Sequence, residues 1–261
     1  WSRSYKIPFK GRVPLMTHMN TIPIYIGYDR RMPVTYHVAA HSIARRASHA
    51  VSFSPIIITA LQKQGLMTRP LQANQSTEFS FSRFLVPYLM NYKGWAIFMD
   101  NDVVVLDDIV NLWKLRNDKY TVMCVKHDHI PENNIKFLGE QQLKYKKKNW
   151  SSVMLLNCSK CKILTPEYIN SASGLDLHRF NWLEGDHLIG EIPHEWNFLI
   201  DYDPGELEDQ KILHYTDGGP YYSTFENCQF SEVWVNERHH MLKATEKSLG
   251  EVFPNEVIKT I

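Results

Sequence analysis

The chain has 261 residues, 44% of them hydrophobic and 22% charged, with a formal net charge of +1 at pH 7. This composition fits a globular protein with one large core or two small ones, and so small a charge gives no global attraction to nucleic acid or to an anionic membrane. No apolar run approaches the ~18 to 20 residues that cross a bilayer, so no membrane span is expected.

Strand-like and helix-like segments alternate along the chain. "IPIYIGYD", Ile22 to Asp29, is an apolar strand ending in Gly-Tyr-Asp, and "MPVTYHVAAHSIARRA" follows with Val34, Val38, Ala39, Ser42 and Ile43 at helical spacing. "VSFSPIIITAL" is a second strand, in which Pro55 predicts an edge or a bulge. "STEFSFSRFLVPYLMNY" is an amphipathic helix with Ser76 and Thr77 available as caps and with Pro87 kinking it or starting a fresh turn. After it come the strand "WAIFMDNDVVVLDDI", the helical "LWKLRND", the strand "YTVMCVKHD", the basic run "KYKKKNW" from Lys144 to Trp150, and the strand "SSVMLLNC". The basic run reads as a solvated loop. A β-α-β order calls for an α/β fold with a mainly parallel sheet and helices on both faces, expected here as a single domain with a decorated edge.

In such sheets ligands bind at the carboxyl ends of the strands. Asp29, the pair Asp100 and Asp102, and the "KHDH" of Lys126 to His129 all fall at that edge, and together they describe a site. The acid pair has period-two spacing, which turns both carboxylates the same way if strand geometry persists. Two hard oxygen ligands at a strand mouth suit Mg²⁺ or Mn²⁺ holding a diphosphate, whose charge the ion neutralises as a bond breaks. An Asp-x-Asp triplet arises about once by chance in a chain of this size, and "DYD" at Asp201 to Asp203 is a second one. Position separates the two: Asp100 and Asp102 sit inside the apolar α/β pattern, whereas Asp201 and Asp203 lead into Pro204 and Gly205 and read as a turn. A third ligand is available in "ILHYTDGGPYY", where His214 precedes Gly218 and Gly219, residues that let a backbone approach phosphate closely.

The order "YIGYD", "SFSRFLVPYL", "IFMDNDVVV", "NWSSVMLLNC", "WLEGDHLIGEIPHEWN", "ILHYTDGGPYY" resembles the nucleotide-sugar glycosyltransferases of GT-A (Rossmann-like) fold, in particular the glycogenin-like family 8 and related bacterial and large algal-virus (chlorovirus) sugar transferases. The likeness covers a motif-bearing core of residues 22–222, leaving 223–261 as a carboxyl-terminal helical extension. It implies a metal-dependent hexosyl- or pentosyltransferase moving a sugar from a UDP-sugar to a glycan or glycoprotein acceptor, with UDP-xylose singled out by the algal-virus likeness over UDP-glucose and UDP-galactose. Gly27, Tyr28 and Asp29 would lie against the uridine, and Arg83 would contact the nucleotide sugar. Asp100 and Asp102 would bind metal and ribose beside Asn101, and His214 would complete the metal site near Gly218 and Gly219. Ser151 and Ser152 would lie beside the donor sugar, and Asp186 would face it. The chain departs from the family after the histidine and glycine, where Pro220, Tyr221 and Tyr222 replace the usual lysine and tryptophan. That departure loosens the kinship with retaining enzymes and tilts the reading towards inversion, with Asp186 as general base.

The same residues have plainer readings. Arg83 has the planar fork that phosphate needs but also suits a solvated helix; Tyr28 can stack on a base or pack on the sheet edge; Asp186 can serve in a surface turn. Trp150, Trp182 and Trp196 offer sugar-stacking faces or fill a core. Cys158 and Cys161 have zinc-like spacing without a second pair. Mixed oxygen and imidazole ligation favours Mn²⁺ over Mg²⁺. A nucleotidyltransferase acting on a sugar phosphate and a non-catalytic carbohydrate-binding module are the alternatives; the first normally opens with a Gly-rich basic loop, against the single glycine of "IGYDRRMP". Four cysteines, Cys124, Cys158, Cys161 and Cys228, without a disulfide framework suit the cytoplasm. The glycosylation-like triplets at Asn74, Asn149 and Asn157 would have to be exposed in a secreted protein, yet two of them flank a buried-looking strand. The amino terminus at Trp1 carries no signal-peptide core, and a segment upstream of it is left open.

Overall fold

The structure, a computed structural model, describes residues 21–70, 75–128 and 146–243. Asn74, His129, Lys144 and the part of the carboxyl-terminal extension beyond Lys243 lie outside the described residues. Nine strands are described: β1 (Ile22–Tyr28), β2 (Val51–Ile57), β3 (Trp95–Met99), β4 (Val103–Val105), β5 (Val122–Cys124), β6 (Val153–Asn157), β7 (Ile189–Glu191), β8 (Phe198–Leu199) and β9 (Ile212–His214). The helices are α1 (Pro33–Arg46), α2 (Ile58–Lys63), α3 (Val86–Leu89), α4 (Ile109–Lys114), α5 (Pro166–Ser171), α6 (Gly174–His178) and α7 (Ser231–Leu242).

Six strands form one sheet in the order β2-β1-β3-β6-β5-β7. β1 is parallel to β2 and β3, and β5 is parallel to β7, whereas β6 runs antiparallel to both β3 and β5. Five strands therefore share one direction, the mainly parallel sheet expected from the β-α-β order. Both faces are buried. Ile24 and Ile26 of β1, Ile97 and Met99 of β3, and Val153 and Leu155 of β6 pack on one face with Ala39 and Ile43 of α1 and Leu112 of α4. Tyr25, Phe98, Met154 and Leu156 face the other way, onto Phe79, Phe84, Ile169 of α5 and Leu177 of α6. Strands covered on both faces read as continuous apolar runs, which is why β3 and β6 stood out in the sequence.

Two elements differ from expectation. The strand beginning at Val51 ends at Ile57, and Ile58 opens α2, so apolar content alone overran the boundary. Pro55 does lie on an edge strand, where its missing N–H costs no ladder bond. The long helix expected around Arg83 is a 3-10 turn, Ser82–Leu85, followed by α3 with a proline in its first turn. Pro87 thus starts a fresh turn, and Ser76 and Thr77 lie before the helical residues instead of capping them.

The smaller sheet, β4-β9-β8, pairs β4 antiparallel to β9 and β8 parallel to β9. α4 is capped by Asp108, whose carboxylate accepts from the backbone N–H groups of Val110 (3.0 Å) and Ser48 (3.2 Å). Asp108→Ala is expected to lower stability by about 1 kcal/mol, the usual worth of an N-cap, measured as a shifted urea midpoint at constant slope.

Candidate active site

The acid pair lies in the bend that joins the two sheets. β3 ends at Met99 and β4 begins at Val103, so residues 100–102 are not a continued strand; the period-two reason for the two carboxylates facing together does not hold, although both line one cleft. Two neighbouring strands shape this bend. The N–H of Asp100 donates to the carbonyl of Ser152 (2.8 Å), prolonging the β3–β6 ladder and placing Ser151 and Ser152 beside it. The N–H of Tyr215 donates to the carbonyl of Asp102 (2.9 Å), and the β4–β9 register sets His214 opposite Val103. One ligand atom from each of Asp100, Asp102 and His214 lies within 4.8 Å of the others, and all three residues are buried. Two carboxylates and an imidazole are a donor set that fits a divalent ion such as Mn²⁺.

Arg83 is buried rather than solvated. Its Nη1 lies 2.8 Å from Asp100 Oδ1 and donates to the Ser151 carbonyl at 2.9 Å. Arg83, Lys148, Ser151, Ser152 and His178 line a solvent-open cleft with the acid pair and His214. His178 is held well below its ordinary pKa, first by burial and then by the positive charges of Arg83 and Lys148.

His214 is fixed by Asn197, a side chain without a role in the motifs above. Its Nε2 lies 3.3 Å from Asp102, and its Nδ1 donates to Asn197 Oδ1 at 3.0 Å. The Asn197 amide nitrogen in turn donates to Ser152 Oγ and His127 Nε2, both at 2.9 Å. With the proton on Nδ1, His214 keeps the Nε2 lone pair for a metal. Asn197→Ala is expected to weaken Mn²⁺ binding about 10- to 100-fold, the usual cost of losing such an outer partner, measured by titration against a fluorescent chelator. The same bonds bear on a second cluster, His127, His194 and Asp203, whose ligand atoms also lie within 4.8 Å. Because His127 accepts at Nε2, its proton sits on Nδ1, and the ring offers no second lone pair to a cation.

Beside Asp102 a second hollow is lined by Asp29, Asn101, Thr77, Tyr221 and Tyr222. Asp29 is buried and accepts from the backbone and guanidinium of Arg31 at 2.8 to 3.0 Å. Burial first, then the charges of Asp29 and Asp102, push the Tyr222 phenol up to about 12. Tyr28 packs edge-on against Tyr36, with ring centroids 5.6 Å apart. Gly27 answers to the core: a Cβ there would meet the Phe79 ring at 2.4 Å. At Gly218 (φ +137°) a side chain would be strained and would meet Phe225 at 2.7 Å, so packing also requires a glycine here. Gly219 is likewise pressed against Tyr215 and Tyr221.

Asp186 is not among the residues lining either cavity. Its side chain is 72% exposed and pairs with Lys147 Nζ at 2.5 Å. Trp182 and Trp196 are core residues, and Trp150 donates from Nε1 to the His127 carbonyl at 2.8 Å. Cys158 and Cys161 are buried in the core, where burial pushes the Cys158 thiol up to about 12 and raises that of Cys161 as well. Asn149 lines the cleft and Asn157 is buried, so neither triplet presents a surface acceptor. Asp201–Asp203 form the expected turn.

Residues 30–165 match the model of the family described as "Glycosyl transferase family 8". The chain is 45% identical over 232 residues to "Protein CDI" of Arabidopsis thaliana, covering 86% of this chain and 88% of that protein. Among solved structures it resembles the bifunctional glycosyltransferase WbbM (TM-score 0.58, 14% identity, 85% of this chain) and the glycosyltransferase GlyE of Streptococcus pneumoniae TIGR4 (TM-score 0.57, 18% identity, 91% of this chain). It spans 50% of the WbbM chain and 64% of the GlyE chain. The galactosyltransferase LgtC, solved with donor and acceptor sugar analogs, superposes with a TM-score of 0.54 at 12% identity, over 88% of this chain and 100% of LgtC. These structures share a GT-A fold with this one.

Proposed function

The chain belongs to glycosyl transferase family 8 and is a glycosyltransferase, and we propose that it takes its sugar from a UDP-sugar held through a divalent ion and passes it to a glycan hydroxyl. One observation carries the reading: the ligand atoms of Asp100, Asp102 and His214 converge within 4.8 Å at the carboxyl end of the main sheet, in a cleft that also holds Arg83. Carboxylates binding a cation at a strand mouth, with a guanidinium beside them, suit a diphosphate leaving group. When bound there, the ion would neutralise charge developing on the diphosphate. Asp29, Asn101 and Tyr222 would receive the nucleoside in the adjoining hollow, the carboxylate and amide offering partners to ribose hydroxyls. Ser151 and Ser152 would flank the sugar, and Arg83 would steady Asp100 while presenting its charge to phosphate.

Calorimetry with UDP tests this reading. Micromolar binding that requires Mn²⁺, is weaker with Mg²⁺ and disappears with chelator is the expected result; UDP binding indifferent to chelator would contradict it. Membership of a glycosyltransferase family decides against the nucleotidyltransferase and the sugar-binding module. None of the described helices is long and apolar enough to cross a membrane. Four free cysteines, three of them buried, support a reducing compartment.

Asp186 supports a different role from that of a base. Its exposure and its pairing with Lys147 favour a loop-holding function, so Asp186→Asn is expected to cost less than about tenfold in turnover, far below the loss that follows removal of a positioned general base. A fall of several orders of magnitude with UDP and Mn²⁺ affinity intact would restore the base.

A further inference from the structure

In the segment from Lys146 to Trp150, a basic run that promises only solvated charge, Lys148 and Asn149 line the cleft. Lys147 (φ 61°) and Asn149 (φ 63°) both adopt the left-handed backbone region. Asparagine tolerates that conformation through local hydrogen bonds, but lysine gains nothing from it. Surrounding contacts impose it. Lys147 Nζ donates to the Arg179 carbonyl (2.9 Å) and pairs with Asp186 (2.5 Å), the Ser152 hydroxyl donates to the Asn149 carbonyl (2.5 Å), and Trp150 is tied to His127. Between the two strained residues stands Lys148, 8% exposed and lining the same cleft as Arg83, Asp100, Asp102 and His214. Strain held by several contacts points to function at the place it creates.

The carboxylates of Asp100 and Asp102 cancel the cations of Arg83 and Lys148, so a bound divalent ion leaves the cleft two charges positive. That matches the two negative charges of a nucleotide-sugar diphosphate. Without Lys148 one phosphate charge would go unanswered, and the deficit would grow as the leaving diphosphate gains a further charge. We infer that Lys148 is the side chain that binds the donor's diphosphate opposite the metal ligands, delivered by the strained turn. The inference rests on the UDP-sugar reading above and adds to it a residue from outside its motifs. The neutral state of His178, set by burial and then by Arg83 and Lys148, accords with the positive field this requires.

The test is calorimetry of UDP and of uridine in saturating Mn²⁺ with wild type, Lys148→Met and Lys148→Arg, each checked for an unchanged unfolding midpoint. Lys148→Met is expected to weaken UDP on the order of 10- to 100-fold, the worth of a charge-assisted hydrogen bond. Uridine binding and Mn²⁺ affinity without nucleotide should be held, and Lys148→Arg should recover most of the loss. Equal UDP affinity in Lys148→Met overturns the inference, as does a parallel loss for uridine, which would make the turn merely structural. A wild-type protein that binds no UDP would instead refute the donor reading, and the inference with it.

Discussion

Asp102→Ala is expected to abolish Mn²⁺-dependent UDP binding, with a loss on the order of a thousandfold or more, since even an outer partner of a metal ligand typically costs about 10- to 100-fold. The substitution removes one of three ligand atoms converging within 4.8 Å. It leaves the local fold in place, because Asp102 joins the β4–β9 ladder through its backbone carbonyl, which accepts from the Tyr215 N–H at 2.9 Å. An unchanged unfolding midpoint should therefore accompany the lost affinity. Wild-type UDP affinity in this variant would remove Asp102 from the metal site.

The largest expected loss of stability lies at Glu237, which lines neither hollow. This carboxylate of α7 is 2% exposed and lies 2.6 Å from His41 Nδ1, 3.0 Å from Arg45 Nη2 and 2.9 Å from Arg46 Nη1, all on α1. Burial alone would raise its pKa, but the hydrogen bond and charge of Arg46, the bond from His41 and the charge of Arg45 outweigh burial and lower it. Removing one member of a buried ion cluster costs about 3–5 kcal/mol. Arg45 is 41% exposed and can rehydrate, so Glu237→Ala is expected at the lower end, about 3 kcal/mol. The sign of the pH dependence follows from the lowered pKa. The carboxylate's contribution is complete above the ordinary glutamate range and fades as pH falls through the depressed native value, so wild type loses stability on acidification more steeply than the variant. Urea unfolding of both proteins between neutral and acid pH checks this. Parallel curves would show that Glu237 is not held ionised by α1.

The main sheet was legible because its strands are buried on both faces. β1, β3 and β6 are uninterrupted apolar runs, and α1 buries Val38, Ala39, Ser42 and Ile43, all of which stood at helical spacing. The smaller sheet was not legible as a unit, since β4, β8 and β9 are only two or three residues long and carry no period. Within the site, Asp100, Asp102 and His214 could be assembled from motif order, yet the bend that turns them together could not, because it depends on hydrogen bonds from β6 and β9. Lys148 and Asn197 escaped for opposite reasons. Lysine in a basic run is ordinarily solvated, and only the left-handed residues on either side bury it; asparagine among apolar neighbours carries no signal until His214, Ser152 and His127 surround its amide. Gly27, which the resemblance sets against the uridine, is also required by the core, because a Cβ there would meet the Phe79 ring at 2.4 Å.

Release of UDP from a panel of UDP-sugars without acceptor, assayed with Mn²⁺ and again with chelator, tests the central claim most directly because it needs no knowledge of the acceptor. The panel includes UDP-xylose, UDP-glucose and UDP-galactose. Slow hydrolysis of at least one donor that requires Mn²⁺ and is lost in Asp102→Ala is the predicted result. Hydrolysis of a donor at the same rate in chelator and in Asp102→Ala would contradict it.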